Sequence, residues 1–173
     1  MRGLRKYVIP FTGLKDGNHT FNFILDDKFF EEFEGSEVKK GNVNVGINLV
    51  KNPRFIELNF KLDGEVEVMC DRCLDMFYLV IGYEETIYFR FGEESYEQSD
   101  NVIILSPKEH EIQTAQYLYE FVHLALPYKK IHPDQNGEPG CNKTMLEKLN
   151  NLKIDENKTD PRWDQLKEIS DKN

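Results

Sequence analysis

Asn42-Val43-Asn44-Val45-Gly46-Ile47-Asn48-Leu49 puts an apolar side chain at every second position across eight residues. A period of two belongs to a strand with one face buried and one face in water. Phe55-Ile56-Glu57-Leu58-Asn59-Phe60-Lys61-Leu62 repeats the pattern, Asp63-Gly64 reads as a hairpin turn, and residues 65–68 return. The stretch 76–91, rich in Tyr, Phe and Ile, predicts a further long strand. A chain with this patterning is committed to a large sheet with one solvated face. Its 12 Phe and 8 Tyr supply the volume for a core beneath it.

The remaining elements are shorter. Residues 6–12 and 20–25 read as strands, separated by turn residues Lys15-Asp16-Gly17-Asn18. Phe29, Phe30 and Phe33 fit a short amphipathic helix over 26–33 that ends near Gly35. After a short strand at 102–105, two helix starts compete. Ser106-Pro107-Lys108-Glu109 has the form of a capping box with Pro at the first helical position, and Thr114 is the alternative cap. The helical core, 115–126, is strongly apolar and Pro127 stops it. A long loop over 127–142 precedes a short helix at 144–152. Asp160-Pro161-Arg162-Trp163 then opens a last helix, with Asp160 as its N-cap. These signals divide the chain into one domain over 1–152 and a linker with a short helix over 153–173.

Cys70 and Cys73 stand two residues apart at the end of the predicted 65–68 strand, and Cys141 lies far downstream. Two thiolates at that spacing can turn onto one ion through a tight backbone knuckle. Only three cysteines are present, so a fourth ligand from the same chain must be another residue type, and His132 lies in the loop that carries Cys141. Cys70, Cys73, His132 and Cys141 are therefore the candidate ligands of a structural zinc. A loop as long as 127–142 is uncommon unless something orders it, and a metal would do so. The competing reading is three reduced thiols filling a core. An odd cysteine count with a Cys-x2-Cys pair does not describe a secreted disulfide framework.

Four pieces in sequence order carry a resemblance to a known family. They are Cys70-Asp71-Arg72-Cys73-Leu74, the helix Tyr119-Glu120-Phe121-Val122-His123-Leu124-Ala125-Leu126-Pro127, the pair His132 and Cys141, and Asp160-Pro161-Arg162-Trp163 with Leu166. Over roughly residues 60 to 170 the chain resembles the YceD family, the large ribosomal RNA accumulation proteins. The resemblance implies an α+β fold: an antiparallel, barrel-like sheet with one main packed helix and short C-terminal helices. It implies a role in producing or stabilising large-subunit ribosomal RNA, without an enzymatic activity. Asn136-Gly137-Glu138-Pro139-Gly140 makes the loop from His132 to Cys141 longer than the family's usual short spacing.

Charge and motifs weigh the rival function classes. A net charge of −9 is the wrong sign for a general nucleic-acid binder, so contact with large-subunit ribosomal RNA precursor would have to be local. Arg72, Lys129 and Lys130 are the candidates for such a patch, against the plainer reading of solvated loop cations. A ribosomal protein with a basic surface is the other expected partner, which makes an acidic adaptor without RNA contact a rival function. A cysteine-dependent enzyme would need a positioned base, and His123 or His132 is available. No phosphate loop, dinucleotide fingerprint or Gly-x-Ser-x-Gly elbow supports it. No stretch approaches the roughly 20 apolar residues of a membrane span, and no signal peptide is visible, so a cytoplasmic location and no membrane partner are expected.

Overall fold

The computed structural model describes residues 3–92, 96–99, 101–106, 108–134 and 140–152. The predicted linker and helix over 153–173, with Asp160 and Trp163, lie outside the described residues. The chain divides into two compact units, Met1–Ile131 and His132–Asn173.

In the first unit a 3-10 turn over Gly3–Tyr7 leads into β1 (Val8–Pro10), β2 (Gly17–Leu25) and the short helix α1 (Asp27–Glu31). Three long strands follow: β3 (Gly41–Lys51), β4 (Phe55–Met69) and β5 (Met76–Phe91). Then come β6 (Tyr96–Ser99), β7 (Val102–Leu105), β8 (Glu111–Gln113) and the helix α2 (Ala115–Leu124). Six strands form one sheet in the order β2-β3-β4-β5-β7-β6, and β1 pairs with β8 in a separate two-stranded sheet. Among the described residues β2 and β6 end the sheet without pairing to each other, and no closed barrel is found. Nor is the sheet wholly antiparallel. The chain leaves β5, makes the β6–β7 hairpin, and brings β7 back parallel to Tyr88–Phe91.

The alternating positions divide the faces as the period of two requires. Val43, Val45, Ile47 and Leu49 of β3, with Ile56, Leu58, Phe60 and Leu62 of β4, are buried, while the asparagines between them face outward. Against this inner face α2 lays Leu118, Phe121 and Val122, and the Phe121 ring meets Phe60 at 5.1 Å and Tyr83 at 5.5 Å. Each such side chain removed from water contributes about 1.5–3 kcal/mol. α1 closes the other end. Asp26 caps it by accepting from the Phe29 amide, Phe29 and Phe30 are fully buried, and Gly35 follows at φ +74°. Phe33 stacks on Tyr119 of α2 at 4.0 Å.

Two expectations fail here for identifiable reasons. Asp63-Gly64 is not a turn, because β4 runs through it without a break and pairs with both neighbours. Gly64 serves close approach instead: a Cβ there would strike the Asn42 carbonyl oxygen and lie 2.6 Å from Val43 Cα. The hairpin turn lies six residues later, at 70–75, where Met69 faces Met76. The second failure is the Ser106 helix start. Ser106 Oγ accepts from the Lys108 amide in a local turn, and β8 intervenes before the helix. The helix starts after Thr114, whose hydroxyl makes no cap bond and donates instead to the Tyr7 carbonyl at 2.6 Å.

In the second unit α3 (Lys143–Asn151) opens with Asn142, whose side-chain oxygen accepts from the amides of Thr144 and Met145. Among the described residues no helix is long and apolar enough to cross a membrane.

Replacing Gly64 by Ala is expected to destabilise the fold by about 1–3 kcal/mol, because the new methyl meets the β3 backbone. Urea unfolding of the variant measures it, and an unchanged midpoint would remove the close-approach account of this glycine.

Candidate metal centre

The β4–β5 turn is built to present sulfur. Cys70 continues the inward register of Val66 and Val68 and is fully buried. The loop folds back on it: the Cys70 amide donates to Asp75 O at 2.9 Å, and the Leu74 amide donates to Cys70 O at 2.9 Å. The Arg72 amide points at Cys70 Sγ at 3.4 Å, an orientation that stabilises a thiolate. Leu74 takes φ +64°, the left-handed conformation that closes the knuckle and brings Cys73, also buried, around to the same side as Cys70. No disulfide joins any of the three cysteines.

Asp71 moors the approaching loop to this turn. Its amide donates to Lys130 O at 2.7 Å, and its carboxylate accepts from the Lys130 amide at 2.6 Å. The Lys130 ammonium in turn rests on the Glu37 carboxylate. His132 follows two residues later. Within the second unit the return to Cys141 depends on Gly140, where a Cβ would strike the Pro133 carbonyl oxygen and lie 3.3 Å from His132 Cβ. A side chain at position 140 is thus excluded by the segment that carries His132.

The ligand atoms of Cys70, Cys73, His132 and Cys141 all lie within 4.8 Å of one another. A tetrahedral shell with metal–sulfur bonds of about 2.3 Å sets its sulfurs roughly 3.8 Å apart, within that limit. The four residues are therefore close enough to hold a metal ion, and three soft thiolates with one imidazole suit zinc better than a hard cation.

The family model described as large ribosomal RNA subunit accumulation protein YceD matches residues 58–170. The chain belongs to the YceD family. That span takes in most of β4, all of β5 and α2, and the four clustered residues of this YceD chain. The family's name ties its members to accumulation of the large ribosomal RNA subunit. No curated protein and no solved structure matches the chain.

The other singled-out residues have local partners or places of their own. His123 is held within α2, its Nδ1 2.8 Å from the Tyr119 carbonyl oxygen and its ring against Tyr119 at 4.2 Å. His19 lies 2.8 Å from Lys15 O through Nε2, and Glu120 accepts from Gln116 at 2.7 Å. Of the three proposed cations, Lys129 is exposed, Arg72 is half-buried, and the Lys130 side chain is 16% exposed beside Glu37. Asp71, Glu37 and Gly140 were not singled out in the sequence. Asp71 carried a signal by its place between two candidate ligands, whereas Glu37 carried none.

The strained corner of the knuckle is directly testable. A β-branched side chain fits the left-handed region poorly, so Leu74→Ile is expected to cost about 1–2 kcal/mol and Leu74→Gly close to nothing. Equal losses in the two variants, measured by urea unfolding, would mean that lost apolar contact rather than backbone conformation matters at this exposed position.

Proposed function

We propose that this chain is a noncatalytic factor in the cytoplasm that supports accumulation or processing of large-subunit ribosomal RNA, with a structural zinc ion on Cys70, Cys73, His132 and Cys141. The observation that carries the reading is the coincidence of the family match with a four-ligand cluster of three buried thiols and a histidine. A shell filled by four protein ligands leaves no position for an activated water, which is the arrangement of structural rather than catalytic zinc. When bound, the ion would supply fixed geometry and charge compensation for the thiolates. The protein's own part is done by the Asp71–Lys130 bonds and the Leu74 corner, which hold the loops where the ligands converge.

A cysteine-dependent enzyme is the weaker reading. Reactive Cys-x2-Cys pairs sit at a helix N-terminus that lowers the thiol pKa, and here the pair lies on a β-hairpin. Among the cations, Arg72 and Lys129 beside the knuckle are the groups for a local contact with precursor RNA or with a ribosomal protein. Lys130 is the poorer candidate because it is engaged by Glu37.

Two measurements test the proposal. Purified protein is expected to carry about one zinc per chain by elemental analysis, and His132→Ala and Cys141→Ala are each expected to lose most of it. Equal zinc in the parent and both variants would show that the late loop supplies no ligand. In cells depleted of the protein, sucrose-gradient profiles should show a selective deficit of large subunits and their RNA. An unaltered ratio of large to small subunit RNA counts against the ribosomal role.

A further inference from the structure

The first half of β5 departs from the rule that the rest of the sheet obeys. On β3 the outward positions are Asn42, Asn44 and Asn48, as an exposed sheet face requires. On β5 they are Met76, Tyr78 and Val80, with exposures of 51%, 52% and 79%. Met69, directly across from Met76, adds to the same face at 48% exposed. The result is a contiguous apolar patch at one end of the sheet, the kind of surface that marks an interaction site.

Among the described residues the same segment has a strand on one side only. β5 pairs with β4 along its whole length, but on its other side β7 reaches only Tyr88–Phe91. Among the described residues no strand pairs with Met76 to Ile87 on that side. Natural edges are blunted with charge, proline or a bulge, since unpaired amides and carbonyls recruit other chains. Residues 76–83, Met-Phe-Tyr-Leu-Val-Ile-Gly-Tyr, contain neither a charge nor a proline. An edge left this apolar is consistent with one that is used.

We infer that the edge of β5 from Met76 to Glu84 receives an extended segment of a basic partner protein as an added strand. Main-chain bonds to the edge would supply affinity, and alternate side chains of the added strand would lie beside Met76, Tyr78 and Val80. The charge of the guest follows from the surroundings. Asp63, Glu65 and Glu67 share the outward face on β4, and Glu84 ends the apolar run on β5. Lys40 pairs with Glu67 and Lys61 with Glu84, so two cations stand among these four carboxylates. In a chain of net charge −9, such a face favours lysine and arginine between the guest's apolar positions and opposes a second copy of itself. The inference does not depend on the ribosomal reading, and the test below is independent of any ribosome profile.

The full chain would be titrated with a fluorescein-labelled peptide of four Lys-Val repeats, followed by anisotropy. Two comparisons decide the matter. A Tyr78→Lys/Val80→Lys variant should bind at least tenfold more weakly, and the parent should bind a peptide with two of its valines replaced by proline at least tenfold more weakly. Val80→Ser, at the most exposed position of the three, serves if the double variant melts early, and should weaken binding severalfold. Undiminished binding by the variants, or equal binding of the proline-interrupted peptide, would overturn the strand-addition geometry and leave only charge attraction. Self-association of the parent that the variants lose would assign the edge to a second copy. Loss of single-stranded RNA binding in the variants, with peptide binding unchanged, would assign it to nucleic acid.

Discussion

The ladder between β4 and β5 runs from Phe55 opposite Arg90 to Met69 opposite Met76, and the rest of the molecule is arranged around it. It is the longest pairing in the sheet, and each end carries something different. At one end β7 and β6 extend the sheet and β5 turns its inner face to the start of α2, where Phe89 meets Tyr117. At the other the two strands are joined by the loop 70–75, and the inward register that buries Val66 and Val68 delivers Cys70. The sulfur pair is thus an outcome of sheet register. A one-residue slip would turn every inward side chain of β4 outward and take Cys70 with it.

Family membership and geometry bear on function from different directions. The family match attaches the chain to large ribosomal RNA without saying what it touches. The four clustered residues describe a clasp without saying what it serves. They meet in the idea of a fixed scaffold: a rigid sheet, loops pinned by Asp71 and Gly140, and an acidic surface with a few specific features. The three cysteines of the cluster are all buried, which shields their sulfurs from reagents in solution.

Much of this was legible in the sequence. The alternation at 42–49 and 55–62, the run 76–91 and the apolar helix ended by Pro127 all appear where the residues place them, because burial on one face is a period that local chemistry can announce. The grouping of Cys70, Cys73, His132 and Cys141 was also readable, the first pair by spacing, Cys141 as the third cysteine and His132 by its place in the same loop. What failed was local chemistry with two meanings. Asp63-Gly64 has the composition of a turn, but its glycine answers to a neighbouring backbone that no local window contains. Ser106-Pro107 has the composition of a helix start, but the next element is the strand β8, which pairs with the distant β1. The parallel placement of β7 was likewise invisible, since register against a distant strand leaves no periodic trace.

That β1–β8 pairing has a consequence for how the protein is made. Thr114 bonds to Tyr7 across a separation of 107 positions, and the fully buried Ile9 pairs with Ile112. On a translating ribosome, β2, β3 and β4 can pair in order as they emerge, since β3 follows β2 after the segment that holds α1 and β4 follows β3 across a short loop. β1, which precedes them, must wait for its strand partner until β8 is free. The first strand to be synthesised is among the last to be secured, and its apolar side chains stay open to other contacts through most of the chain's synthesis.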